Sequence, residues 1–239
     1  MKEIVFRARS KNDFKVYPKP YPASQNIPEW WRKEPPYIIS KDNPDGKKFI
    51  LENRIANASF KKCVPMLDAI TSGYIVPLVA DVQVRQLPDG PRITWRTHQP
   101  VFQAHGESSH NVVPPLGYSN KVFKYINTWI PVTPPGYSVI ISAPIGHRNL
   151  PFQAIPAIID SDKSTLEVVN PCWLQEGFEG IVEAGTPMFQ ITPFKRDSWK
   201  SSFEYYEDGQ YYGEIEEKNF NSTLINHYIK KHWSKKTYK

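Results

Sequence analysis

Along most of the chain, apolar residues alternate with polar ones or run in short blocks, and Pro, Gly, Asp and Asn cut the blocks apart. That spacing predicts strands rather than long amphipathic helices. The stretch "GYIVPLVADVQVRQ", residues 73 to 86, reads as a long strand interrupted by a proline. Leu87-Pro88-Asp89-Gly90 supplies turn chemistry, and "PRITWRTH", residues 91 to 98, alternates back as the partner strand of a hairpin. Further strands are expected at 121–127, 137–143, 153–159, 164–169 and 187–194, joined through Pro134-Pro135-Gly136, Ile145-Gly146-His147-Arg148 and Ala184-Gly185-Thr186. Strands at this spacing predict a mainly β fold, a sandwich or a barrel.

Helical spacing enters at two places. "PMLDAITS", residues 65 to 72, opens on a proline suited to a first helical position. After residue 197, "DSWKSSFEYYED" and "NFNSTLINHYIKKHWSKK" carry helical periodicity, with Leu224, Ile225, Tyr228, Ile229 and Trp233 on one face. The chain thus divides into an N-terminal strand and proline-rich aromatic arm (1–60), a β body (61–196) and a helical, basic C-terminal extension (197–239).

Composition sharpens this picture. Twenty-three prolines against twelve glycines, with thirteen tyrosines, seven tryptophans and twelve phenylalanines, describe short strands between rigid turns. Residues 14 to 37, "FKVYPKPYPASQNIPEWWRKEPPY", are dense enough in proline to exclude helix and central strand, which predicts an extended arm. Trp30-Trp31 within it should be pinned on the β body or on a neighbouring subunit, because two adjacent indoles are costly to leave in water.

The formal charge of +6 changes less than its size suggests, since much of it lies in the tail Lys230 to Lys239. A solvated basic end is favoured over a nucleic-acid-binding tail, and no other nucleic-acid partner is expected. No run of about 18 apolar residues exists, and Met1 to Arg7 lacks the features of a secretory signal. A cytoplasmic protein with no membrane partner is expected, in a host cytoplasm or a virion if a phage encodes it. Cys63 and Cys172 are too few for a disulfide framework and read as thiols.

Four stretches carry a resemblance through their order. "SGYIVPLVADVQV" (72–84), "TPPGYSVIISAPIG" (133–146), "AIIDSDKSTLEVV" (157–169) and "EAGTPMFQITPF" (183–194) resemble the first four motifs of the dUTPase family and its dCTP deaminase relatives. The whole chain is also similar to a domain family met in bacteria and marine phages. The resemblance implies a distorted jelly-roll barrel, a homotrimer, and active sites between subunits. Carried across, Asp160 falls on the catalytic carboxylate and Gln190 on the fourth-motif glutamine, with Tyr74, Asp162 and Arg148 as ligand-binding candidates beside them. The departures are specific: Ile75 replaces the first-motif aspartate, Ile145-Gly146 the second-motif Arg-Ser, and Lys163 the third-motif tyrosine. No glycine-rich fifth motif follows residue 194. A triphosphate needs fixed donors and a metal before in-line attack, so ordinary dUTPase activity is not expected. The alternative for Asp160 and Asp162 is the polar tip of a hairpin, where Asp and Ser hydrogen-bond locally; this is the favoured reading.

One further constellation is chemical. "THQPVFQAHGESSHN" holds His98, His105, Glu107 and His110, and His105-Gly106-Glu107 with distant His147 has the form of a two-histidine, one-carboxylate triad. Those ligands suit Fe or Zn. A polar loop between strands is the favoured alternative, and no cofactor is expected. Phosphate-loop, dinucleotide, nucleophile-elbow and zinc-protease patterns are absent. The leading functional expectation is a non-catalytic oligomer, a structural or accessory component of a phage. Its alternative is a divergent metal- or nucleotide-dependent enzyme, or a small-molecule binder.

Overall fold

The computed structural model describes residues 2–51, 54–55, 57–104, 112–164, 169–207, 209–211, 213 and 228–239. The chain divides into two compact units: 1–26 with 72–196 and 238–239, and 27–71 with 197–237. The first unit is mainly β, as the alternation predicts. In chain order its opening elements are β1 (Val5–Ala8), α1 (Lys11–Val16) and β2 (Tyr21–Pro22). The second unit then contributes α2 (Glu29–Lys33), β3 (Ile50–Leu51), β4 (Arg54–Ile55) and α3 (Val64–Thr71). The β unit resumes with β5 (Tyr74–Pro77), β6 (Val82–Leu87), β7 (Gly90–Trp95), β8 (Phe102–Ala104), β9 (Tyr118–Ile126), β10 (Trp129–Val132) and β11 (Tyr137–Ser142). It ends with β12 (Phe152–Ala154), β13 (Ala157–Ile159), β14 (Val169–Gln175), β15 (Gly180–Val182) and β16 (Pro187–Lys195).

All pairings are antiparallel. The sheets run β13-β11-β16-β5-β2, β12-β14-β9-β8, β15-β6-β7 and β1-β10, and the described residues form no closed barrel. The predicted hairpin is β6–β7, with Leu87 opposite Gly90 across the Pro88-Asp89 turn. Two predicted strands are each split. Residues 73 to 86 become β5 and β6, which join different sheets after Leu78–Asp81. Residues 153 to 159 become β12 and β13, again in different sheets, because Pro156 has no N–H to continue a ladder. Most of the strand expected at 164–169 lies outside the described residues; β14 begins at Val169.

The five-stranded and four-stranded sheets share one core. Val76, Val139, Ile141, Phe189 and Ile191 come from the first sheet, and Phe102, Phe123, Tyr125, Phe152 and Leu174 from the second. Phe102 stacks on Phe152 with centroids 4.7 Å apart, and Tyr125 meets Phe189 at 5.3 Å. Fully buried Tyr125 satisfies its hydroxyl by donating to the Pro77 carbonyl at 3.2 Å, a hydrogen bond between the two sheets.

The proline-rich stretch 14–37 is not uniformly extended. Its prolines stand at helix boundaries, where a missing N–H costs nothing. Ser10 caps α1 by accepting from the Asp13 amide at 3.0 Å, and Pro28 is the N-cap of α2. Within the second unit, Trp31 is buried and meets Trp30 edge-on at 5.6 Å. The helix predicted from Pro65 is α3. Trp233 donates to Asp68 on that helix at 2.8 Å, as does Lys236 at 2.6 Å.

The C-terminal expectation is corrected in part. Residues 197 to 207 have no regular structure. Ser, Asp and aromatic residues are weak helix formers, and serines compete with the ladder through their own side chains. Tyr228–His232 form one π-helical turn, while Leu224 and Ile225 of the predicted stripe lie outside the described residues.

Gly73 shows how tightly β5 is joined to β16. Its φ is +70°, and a Cβ there would sit 2.0 Å from the Ile191 carbonyl oxygen. Gly73→Ala combines a backbone collision with a left-handed conformation, so it should lower stability by more than about 2 kcal/mol. Thermal unfolding followed by circular dichroism should show a Tm at least about 5 °C below that of the parent.

Candidate functional site

The sequence candidates converge best where β13 ends. The chain turns through Asp160–Lys163, with the Lys163 and Ser164 amides donating to the Asp160 carbonyl at 3.0 and 2.9 Å. Beside it, the turn before β11 has Gly136 at φ +83°. The register of β11 against β16 sets Tyr137 opposite Lys195, so the next residue, Arg196, arrives beside this turn. The Arg196 amide donates to the Gly136 carbonyl at 2.9 Å.

Its guanidinium grips Asp162 with both ends of the fork, Nη1 to Oδ1 at 2.7 Å and Nη2 to Oδ2. Asp162 Oδ2 also accepts from the Gly136 amide at 2.8 Å. Arg196 Nη1 further donates to the Tyr137 carbonyl at 3.2 Å and to Ser138 Oγ at 2.9 Å. Ser138 Oγ in turn donates to Asp160 Oδ1 at 2.6 Å, and Arg196 Nη1 lies 3.2 Å from that same oxygen. Underneath, Thr133 and Ser161 share a hydroxyl hydrogen bond of 2.7 Å. Such bidentate, charge-assisted pairing is the strong form of an Arg–carboxylate contact.

This geometry sets the protonation states. The Arg196 hydrogen bonds hold the Asp162 carboxyl down at about 2, helped by the Gly136 amide. The Ser138 hydroxyl, and then the Arg196 charge, hold Asp160 below its ordinary range. Both carboxylates are ionised at neutral pH and both face the same cation. A general base works best with a pKa near the working pH, and a general acid needs a proton to give. The cluster is therefore built as a clasp that ties the start of β11 and the turn after β13 to the end of β16.

Gln190 lies elsewhere. It pairs with Ser142, four residues along β11 from Ser138, hence roughly 13 Å away from Asp160 along the strand. Its side chain is buried and fully used: Oε1 accepts from the Ile145 amide at 2.8 Å, and Nε2 donates to the Ser72 carbonyl at 2.7 Å. Tyr74, one step along the β5–β16 pairing, meets Phe6 and Tyr238 edge-on and donates to the Lys239 carbonyl at 3.2 Å. Arg148 is exposed in the loop after β11. Next to it, His147 Nε2 lies 2.8 Å from the Asn26 carbonyl oxygen. The chain thus brings Asp160 and Asp162 together and leaves Gln190, Tyr74 and Arg148 apart from them.

His105, Glu107 and His110 lie outside the described residues, and His98 is exposed after β7. Among the described residues no three His, Cys, Asp or Glu side chains are grouped to hold a metal. Burial among β9 and β14 pushes the Cys172 thiol far up, so it stays protonated. No described helix is long and apolar enough to cross a membrane. No protein-family model, curated protein or solved structure matches the chain.

Arg196 is the residue that sequence reasoning missed. Pairing the predicted strands 137–143 and 187–194 antiparallel would have set it beside Gly136, so its signal lay in register rather than in any motif.

Two outcomes follow for this region. The carboxyl of Asp162 titrates lower in the folded than in the unfolded chain, where 3.8 is ordinary, so its stabilisation is full above that value and lost as pH falls towards 2. Arg196→Met should therefore lower Tm at neutral pH, and the gap to the parent should close in melts run down to pH 2. Gln190→Leu strands the Ile145 amide and the Ser72 carbonyl, and urea unfolding should show a loss of about 2 kcal/mol or more.

Proposed function

We infer that the protein is a non-catalytic, oligomeric β protein on a dUTPase-like scaffold, suited to a structural or accessory role such as a phage component. The observation that carries the absence of hydrolytic work is the pairing of the candidate catalytic carboxylate through one of its oxygens. Asp160 is bound by Ser138 and Arg196, and the cation a phosphate would need is bound to Asp162. The scaffold part of the reading is supported by an arrangement in the first unit. One strand from each of the four motif-like stretches, β5, β11, β13 and β16, lies in a single sheet in the order β13-β11-β16-β5, while β6 and β14 join other sheets.

The oligomeric part is supported by the second unit. Trp199 and Phe203 are 91% and 96% exposed in a segment without regular structure, and Tyr205 and Tyr206 follow them. Large rings left in water within a few residues of one another mark an interaction surface. The homotrimer comes from the family resemblance.

Sedimentation equilibrium on the full chain at micromolar concentration should give a discrete oligomer, with a trimer favoured. Trp199→Ser combined with Phe203→Ser should shift it to monomer while circular dichroism stays unchanged. Hydrolysis of dUTP with magnesium should be at background in both the parent and Asp160→Asn. A parent that is monomeric throughout, or turnover abolished by Asp160→Asn, overturns the reading.

A further inference from the structure

Among the described residues, the β unit carries a groove at two strand edges. Among the described residues, β7 is an outer strand of β15-β6-β7 and β8 an outer strand of β12-β14-β9-β8. Residues of both line one pocket of about 240 Å³, with Trp95, Phe102 and Phe123 among its walls and Arg92 and Lys121 at its rim. Free edges offer backbone donors and acceptors to an added extended chain. The pocket is smaller than the roughly 300–1,000 Å³ of sites for drug-sized ligands, and it suits one aromatic ring.

The rim is cationic by construction. Gly90 at φ +110° leaves the space above the β6–β7 turn open, and the Lys121 ammonium occupies it, donating to the Asp89 carbonyl. Arg92 is exposed on β7, and Arg96 follows that strand, also exposed, beside a second pocket of about 370 Å³ that shares Trp95 as a wall.

The chain contains a segment of matching chemistry. Residues 197 to 217 carry seven acidic side chains against the single Lys200, a net −6 in a chain whose total is +6. The described part, 197–207, interleaves Asp197, Glu204 and Glu207 with Trp199, Phe203, Tyr205 and Tyr206. Trp199 and Phe203 hold their rings almost wholly in solvent.

We propose that residues 197–207 of one copy dock in the groove between β7 and β8 of a second copy, an aromatic ring entering the Trp95–Phe102–Phe123 pocket and the acidic side chains facing Arg92, Arg96 and Lys121. This rests on the oligomeric reading above and names the seat of the contact. Main-chain pairing along a strand edge supplies affinity, the ring supplies register, and charge chooses the partner.

Charge exchange tests it on the full chain. Arg92→Glu with Arg96→Glu, and separately Glu204→Lys with Glu207→Lys, should each weaken self-association at least tenfold in sedimentation. The quadruple variant, or an equimolar mixture of the two doubles, should restore it. A labelled peptide of residues 197–208 should bind the Trp199→Ser/Phe203→Ser chain in fluorescence anisotropy, and bind at least tenfold more weakly once Arg92→Glu/Arg96→Glu is added. Restoration also shows that the variants fold. If self-association survives both charge reversals yet is lost in Trp199→Ser/Phe203→Ser, the oligomer stands and this seat is wrong. A monomeric parent removes the oligomer, and a peptide that binds both chains equally, or neither, removes the groove as its seat.

Discussion

The first unit depends on one constraint: β16 is buried on both of its faces. Met188, Phe189, Gln190 and Ile191 are consecutive and all buried, although side chains alternate across a strand. Phe189 and Ile191 enter the core between the sheets, joined by Met188 at the irregularity between Pro187 and Phe189, so Gln190 must be covered from the other side. A buried amide has to find every partner inside the protein. Gln190 does so by holding Ser72, at the approach to β5, and Ile145, in the loop after β11. The two strands that flank β16 are thereby tied to its middle by one side chain. The close approach of Gly73 to the Ile191 carbonyl belongs to the same junction.

The same strand explains why a carboxylate with a catalytic appearance is spent on architecture. A strand buried on both sides must end where its chain can leave the sheet, and here Arg196 follows its last residue, Lys195. The guanidinium is partly desolvated and needs compensation, which Asp162 supplies with both oxygens and Asp160 with one. A phosphate would compete for Arg196 against a carboxylate already fixed by the Gly136 amide. Both oxygens of Asp162 and one of Asp160 already face the guanidinium.

The strands were legible in the residues wherever the pattern was local. The β6–β7 hairpin follows from alternation on either side of Leu87-Pro88-Asp89-Gly90, and β11 and β16 fall close to their predicted limits. What was not legible is which sheet a strand joins. Nothing in "PLVAD" says that the chain leaves one sheet after Pro77 and enters another at Val82, since both halves have the same period. The helices of the N-terminal stretch were missed for a related reason. Proline density is a total, whereas the effect of a proline depends on its position, and Pro28 marks a helix start. In the C-terminal stretch the apolar spacing was real, but spacing counts a tryptophan or tyrosine as readily as a leucine and ignores the weak helix propensity of the residues between them.

The site follows the same division between local and long-range information. Asp160 and Asp162 were visible as a pair because they lie two residues apart, and the local turn chemistry holds. However, β13 pairs with β11 while β14 joins another sheet, so the turn is not the tip of a hairpin. Their meaning is set by a residue 34 positions beyond Asp162. Strand register brings that residue to the turn, so only a paired topology can separate a poised carboxylate from a neutralised one. A motif resemblance transmits the first kind of information and not the second. That is why the order of four stretches says nothing of how the carboxylates within them are paired.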